Sequence, residues 1–299
     1  MSGHDPLVSV VIPVFNGAPF IEKAVASVRG QRIRNVEMIV VDDGSTDGTQ
    51  AILASLQREG LRWYQQAHGG PARSRNRGIE AAHGEYIALL DCDDVWLTDK
   101  LDVQLSVMQA RPEVGVVHTD YEVVDDSGKV LERVHAGRSD EPLVKAFAGG
   151  HAALPSTLLI RRHVLRNVGA LNADLYGSED SDLTIRLYEV TQFAWIDRVM
   201  VRKLQRGHGY RDMAFDEATH REKVLSSRER FLNGLEMRRP LRRDQRAALD
   251  REWASYFLLR GRFAERFRTR TEARRFYRQA IRKDPFRLRG YTRWLRTLM

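Results

Sequence analysis

The chain has 299 residues, 42% of them apolar and 29% charged, with a formal net charge of +8. That length fits one large α/β domain with an appendage or two ordinary domains, and the apolar share is ample for a core. A single cysteine, Cys92, excludes an internal disulfide and a multi-cysteine zinc site, which points to a reducing compartment. No window approaches the roughly eighteen apolar residues of a membrane span, and residues 1–6 lack a signal peptide's apolar stretch. A soluble or peripheral cytoplasmic protein is expected. The charge is divided: residues 220–299 hold 24 Lys/Arg against 9 Asp/Glu, and residues 1–219 hold 24 against 31. An acidic front and an Arg-rich back suggest two jobs.

Leu7 to Val14 (LVSVVIPV) is nearly continuous in apolar residues, as in a strand buried on both faces. Phe15-Asn16-Gly17 turns the chain, and the spacing predicts a helix over Ala18 to Arg29. Val36 to Val41 is a second buried strand, ending at Asp42-Asp43-Gly44-Ser45. Ser45 or Thr46 is a suitable cap for the helix that runs to about Glu59. Leu61 to Gln65 is a shorter strand, and Pro71 stands near the start of a helix that reaches about His83. Glu85 to Leu90 is a strand, and Asp99 to Ala110 a helix. Strands follow at Val114 to His118, around a hairpin turn at Asp125 to Gly128, at Ser156 to Ile160 and at Phe193 to Leu204. Glu141 to Ala148 has helical character, and an amphipathic helix follows Tyr176 to Asp182. From about Phe215 the pattern is helical throughout, and Ala273 to Pro285 resembles the second helix of a tetratricopeptide repeat.

Strand and helix alternating at this pitch mean βαβ units and a mostly parallel sheet, whose ligands bind beyond the carboxyl ends of the strands. Polar groups gather at those ends: Phe15-Asn16, Asp42-Asp43, His68 to Arg75, and Asp91 to Asp94. Three carboxylates within four residues after an apolar strand repel one another and resist desolvation. A divalent cation removes that cost, and hard oxygen ligands suit Mg²⁺ or Mn²⁺. The plainer reading is an acidic loop capping the next helix.

Four segments carry a family likeness. VSVVIPVFNGAPFIEKAVASV, VVDDGSTDGT, GGPARSRNRGIEAAHGEYIALLDCDDVW and GSEDSDLTIRL occur in order and at matching spacing, and residues 7–210 resemble the family-2 glycosyltransferases of GT-A fold. The resemblance implies an α/β, Rossmann-like catalytic domain over residues 1–215, followed by a basic helical tail over 216–299. It implies inverting transfer of a sugar from a UDP- or GDP-sugar to a saccharide or lipid-linked acceptor, with Mn²⁺ or Mg²⁺, in cell-envelope polysaccharide biosynthesis. On this likeness Asp43 accepts the base's imide N–H, while Pro13, Phe15 and Asn16 line the base or ribose. Phe15 is also readable as plain packing, and Asp42 reads as structural, turned into the Gly44-Ser45 turn. Arg75 matches the family's basic position for base or phosphates. Asp93 is the first metal ligand, with Asp91 on the ribose or the metal, Asp94 in support and Cys92 turned into the core. Asp180 matches the catalytic base and Glu179 orients acceptor or base, although both also suit a helix N-terminus. His208 is the candidate for a further metal or phosphate contact. Ser181 stands where many relatives have Trp or Tyr.

Outside the resemblance, the tail suits an anionic membrane surface at the inner face of the plasma membrane, a protein partner, or a solvated face around a small aromatic core. No nucleic-acid signature is present. A nucleotidyltransferase would carry a basic phosphate loop after its first strand, and Phe15 to Pro19 has no basic residue. The remaining alternative is a catalytically inactive sugar-nucleotide-binding or scaffold protein acting through its tail.

Overall fold

The computed structural model describes residues 6–137, 154–205, 217–238, 240–286 and 292–294. The chain forms two compact units. One comprises Met1–Ser139, Ala152–Ala173 and Glu179–Gly207; the other comprises Asp140–His151, Asp174–Ser178 and His208–Met299.

The first unit is built on one sheet. Its strands are β1 (Val8–Val14), β2 (Val36–Asp42), β3 (Arg62–Gln65), β4 (Tyr86–Leu89), β5 (Asp94–Trp96), β6 (Val114–Val124), β7 (Val130–Val134), β8 (Leu159–Arg161) and β9 (Gln192–Leu204). Their order is β3-β2-β1-β4-β8-β6-β9-β5, with β7 beside β6. The β3-β2-β1-β4 half is parallel, as is β6 with β9; β8 enters antiparallel between β4 and β6. Alternate residues of β1 face opposite layers. Val8, Val10, Ile12 and Val14 join one core with Ile21, Ala24, Val25 and Val28 of helix α1 (Ile21–Arg29) and Leu53 of α2 (Thr49–Arg58). Val11 joins the other, with Ala72 of α3 (Pro71–Glu80), Leu165 of α5 (Arg162–Val168) and Leu183 and Leu187 of α6 (Glu179–Val190). Burial on both faces is why these strands read as unbroken apolar runs.

Several elements differ from the sequence reading. The first helix begins at Ile21, not Ala18. Helix α2 begins at Thr49, and Asp47 rather than Ser45 or Thr46 accepts the Thr49 N–H at 3.0 Å. Pro155–Thr157 is a turn of 3-10 helix and the strand starts only at Leu159, because Thr157 N bonds back to Leu154 O at 2.8 Å. Strand β5 lies inside the acidic motif itself and pairs antiparallel with Val201 to Lys203. Helix α4 (Lys100–Ala110) braces it: the buried Lys100 ammonium, which burial pushes well below its usual pKa, sits 3.9 Å over the Trp96 ring. The stretches Glu141 to Ala148 and Gly207 to Gly209 lie outside the described residues.

In the second unit the helices are α7 (Glu217–Arg238), α8 (Arg243–Phe267) and α9 (Arg270–Lys283). The α8–α9 crossing is close: a Cβ at Gly261 would meet the Tyr277 ring at 2.2 Å. Thr269 caps α9 by accepting the Glu272 N–H. Among the described residues no helix is long and apolar enough to cross a membrane.

Candidate active site

The carboxyl ends of β1, β2 and β4 deliver the first groups. In the β1–β4 ladder Leu90 N bonds Val11 O at 3.0 Å. The next donor from β1 belongs to Pro13, which has no N–H, so the ladder stops there and Asp91 diverges from the sheet. Beyond Pro13, Asn16 adopts a left-handed φ of 48°. Its N–H donates to Ser45 Oγ at 2.9 Å, and its side-chain carbonyl accepts from Thr46 N at 2.8 Å. These bonds tie the β1 loop to the β2 loop. Asp42 is structural, as expected, accepting from Ser45 N and Gln50 Nε2.

Asp43 is fully buried and holds the loop that starts α3. Its carboxylate accepts from Gly69 N at 3.0 Å, Gly70 N at 2.8 Å and Gln66 Nε2 at 2.8 Å, and His68 Nδ1 stands 2.9 Å away. Gly70 meets this demand with a φ of +92°, a conformation glycine adopts without strain. The His68 ring packs on Phe15 with centroids 4.3 Å apart. Phe15, His68 and Asp43 thus form one aromatic and acidic wall at the end of β1 and β2.

Helix α3 lies against β1 so closely that a Cβ at Gly78 would strike Val11 Cγ1 at 2.3 Å. That approach sets the reach of Arg75, whose side chain is only 5% exposed. One arm of its guanidinium donates to Asp91 Oδ1 at 2.6 Å, and the other to Asp180 Oδ1 at 3.0 Å, with Glu179 Oε1 at 3.9 Å. Burial opposes its charge, but Asp180 and Asp91 more than compensate, and Arg75 is held more strongly cationic than usual. Its Nε, also buried, has no hydrogen-bond partner among the described residues. Arg73 is exposed.

Asp180 and Glu179 open helix α6, where its N-terminal dipole favours acids. Burial raises the Asp180 carboxyl above the ordinary range; Arg75 pulls it down, Asp91 pushes it up and Lys203 pulls it down. Asp182 instead pairs with Arg186, whose other nitrogens bind the Val168, Gly169 and Ala170 carbonyls at the end of α5.

The acidic turn has a support absent from the sequence reading. Ser156, on the 3-10 turn, donates to Asp94 Oδ2 at 2.5 Å and accepts from Asp91 N at 3.1 Å; its carbonyl accepts from Trp96 Nε1 at 2.8 Å. Burial first, then the charges of Asp91 and Asp93, push the Asp94 carboxyl well above its usual pKa; Ser156 and Lys203 oppose them. A divalent cation beside Asp91 and Asp93 would relieve that repulsion. Cys92 is buried behind the loop, near enough that a Cβ at Gly17 would meet its Sγ at 3.3 Å. His208 lies outside the described residues. Among the described residues the trio whose ligating atoms lie within 4.8 Å of one another is not in the Asp91–Asp94 turn but is Asp120, His135 and Asp197. There the buried Asp120 carboxylate accepts from Trp195 Nε1 at 2.7 Å and Ala136 N at 2.8 Å and faces His135 Nδ1 at 2.8 Å, joining β6, β9 and the segment after β7. Neither Ser156, Lys203 nor this tie carries a local sequence signal, since each acts across strands distant in the chain.

A parallel half-sheet, a D-x-D turn after β4 and an acid-led helix on the far side of one arginine are the GT-A architecture of nucleotide-sugar transferases. Solved structures agree at the level of fold. S. aureus TarS 1-349 in complex with UDP matches with TM-score 0.57 and 17% identity over 92% of this chain and 88% of that one. Mannosyltransferase PcManGT from Pyrobaculum calidifontis, in complex with GDP-Man and Mn²⁺, matches with TM-score 0.59 and 18% identity over 98% and 86%. Residues 9–169, more than half of the chain, match glycosyl transferase family 2, and the chain belongs to that family. An uncharacterised glycosyltransferase of Rickettsia felis is 38% identical over 135 residues, 45% of this chain and 22% of that protein. TuaG of Bacillus subtilis, a glycosyltransferase assigned to teichuronic acid biosynthesis, is 40% identical over 156 residues, half of this chain and 62% of its own. The matched stretch therefore spans less than two thirds of either relative.

Proposed function

We propose that the chain is an inverting glycosyltransferase that moves a sugar from a UDP- or GDP-sugar to a saccharide or lipid-linked saccharide hydroxyl. The observation that supports this most is the Arg75 guanidinium, which joins a donor-side carboxylate, Asp91, to the candidate base, Asp180. In this reading residues 1–215 are the catalytic domain and 216–299 a helical tail, working at the inner face of the plasma membrane in cell-envelope polysaccharide synthesis.

The donor base lies against the wall of Pro13, Phe15 and Asn16; Asp43, expected to accept from the base, is buried with both oxygens engaged and instead supports the His68–Gly70 loop beside it. Asp93 and Asp91 would hold the Mn²⁺ or Mg²⁺, which when bound neutralises charge on the departing diphosphate. Asp180 takes the proton of the acceptor hydroxyl as its oxygen bonds to the anomeric carbon, and the diphosphate leaves from the opposite face with the electron pair of the broken bond. The partly buried Asp180 carboxyl, raised above its ordinary value, is a stronger base for that proton than a freely solvated one. Glu179, behind Asp180 on the same guanidinium, fixes its orientation. Arg75 keeps base and donor carboxylate in one frame, and its fork is the geometry that planar two-point recognition requires.

The test is nucleotide release from a panel of nucleotide sugars with Mn²⁺ and saccharide acceptors, for the wild type and Asp180→Asn. Turnover that falls about 10²- to 10⁴-fold in the variant, with nucleotide affinity kept, supports the base assignment. Equal turnover in the two proteins removes Asp180 from the chemistry.

A further inference from the structure

We propose that Lys203 is a further donor-binding residue, whose ammonium meets the diphosphate of the nucleotide sugar beside the acidic turn. This deepens the nucleotide-sugar reading of the first unit and rests on it.

Strand β9 runs between β6 and β5. In the antiparallel β5–β9 pair Lys203 stands directly opposite Asp94, and on its other side β6 sets Val123 opposite it. Opposed residues of an antiparallel pair share a face of the sheet, with Cβ atoms about 5 Å apart. Lys203 is therefore on the face where Asp94 meets Ser156, at the turn that carries Asp91 and Asp93. The neighbouring Arg202 points to the other face, where Glu122 accepts from its Nε at 2.7 Å. Half-buried Lys203 makes no ion pair among the described residues. Glu132, the next acid across that face, is two strands over, opposite Val123.

The charge of Lys203 is felt on both sides of the site. Burial raises the Asp94 and Asp180 carboxyls, and Lys203 opposes that rise at each. In a direct displacement the anomeric carbon lies between the base and the leaving group, so a cation felt at both Asp180 and the acidic turn borders the bond that breaks. The other cation there, Arg75, has its two arms on Asp91 and Asp180. The phosphates of a nucleotide sugar carry the charge that one divalent ion balances. When the anomeric C–O bond breaks, its electron pair stays on the diphosphate and adds one more negative charge. Lys203 is placed to meet that charge, donating an N–H to a phosphate oxygen and keeping its proton.

The test is calorimetric titration of the full chain with UDP and GDP in the presence of Mn²⁺, and with Mn²⁺ alone, for the wild type, Lys203→Met and Lys203→Arg. Lys203→Met keeps the length of the side chain without its charge. It is expected to lower nucleoside diphosphate affinity about ten- to a hundredfold, the worth of a hydrogen bond to a charged group, and Lys203→Arg to restore most of the loss. Mn²⁺ alone should bind Lys203→Met as tightly as the wild type or more so, because a cation has been removed from beside Asp91 and Asp93. A lysine that only braced the turn would lose metal and nucleotide together. That joint loss, or an unchanged diphosphate affinity in Lys203→Met, overturns the proposal and leaves the transferase reading standing on the wild type's own binding. A folded wild type that binds neither diphosphate with metal present removes the transferase reading itself, and this proposal with it.

Discussion

Arg75 reaches Asp180 across 105 residues of chain, and its guanidinium has no equivalent substitute. Arg75→Lys keeps the charge but offers one ammonium for two carboxylates; turnover is expected to fall more than nucleotide affinity. Arg75→Gln removes a cation from among Asp91, Asp180 and Glu179. The loss of stability is about 2–4 kcal/mol, at the lower side for a broken buried pair because Asp180 is 37% exposed. Its second effect has a defined sign. Asp180 must be ionised to act as base, burial already raises its carboxyl and Arg75 pulls it down, so without Arg75 the acid limb of the pH–rate profile moves to higher pH. A limb that stays in place, or moves to lower pH, contradicts the coupling. At this scale the acids were legible in sequence because each ends a strand or opens a helix. What they touch was not: that Arg75 faces Asp180 depends on how α3 and α6 pack on one face of the sheet.

Among the elements, the acidic turn after β4 depends on a neighbour the sequence conceals. Ser156 looks like the start of a strand, since Ser-Thr-Leu-Leu-Ile has β character, yet the 3-10 turn at 155–157 brings its hydroxyl under Asp91 and Asp94. Ser156→Ala leaves the buried Asp94 carboxyl without its donor and is expected to cost about 1–3 kcal/mol and to weaken metal-dependent nucleotide binding. Thermal midpoints and nucleotide titrations check both effects; unchanged values would make the turn incidental. Strand β5 was missed for a related reason: three residues inside an acidic motif pair with Val201 to Lys203, a hundred residues later. At the other end of the sheet Glu37 ties three elements, accepting from Ser9 Oγ at 2.6 Å, His83 N at 2.7 Å and Arg62 at 2.7 Å. Burial would raise its carboxyl, but those partners outweigh burial and hold it below the ordinary 4.5. A depressed folded-state pKa contributes stability that is full above the unfolded value and is lost as pH falls through the folded one. Glu37→Gln should therefore be less stable than wild type by about 1–3 kcal/mol at neutral pH, with the gap closing in acid. Denaturant midpoints at both pH values decide it; a gap that widens in acid would be the wrong sign.

Across the whole molecule, the division of charge at about residue 220 was visible in composition, and the helices of the second unit follow it. The meaning of that charge was not visible there. Several arginines of α7 and α8 are matched by glutamates from other turns or helices, which only the packing shows. The parallel half-sheet was legible because burial on both faces writes unbroken apolar strands. The antiparallel entry of β8 and the long β6–β9 pairing were not, since register between distant strands leaves no local mark.

The central claim is a metal-dependent nucleotide-sugar site built on Asp91 and Asp93. Its most direct test is the thermal midpoint of the full chain with UDP, GDP and their sugars, with and without Mn²⁺, for the wild type and Asp93→Ala. A ligand that binds only the folded state at about a hundred times its Kd stabilises by about 2.7 kcal/mol, enough to shift the midpoint by a few degrees. The account predicts such a shift for one nucleotide series, present with Mn²⁺ and abolished in Asp93→Ala. A folded wild type that responds to no nucleotide with metal present, or an Asp93→Ala variant that responds equally, would contradict it.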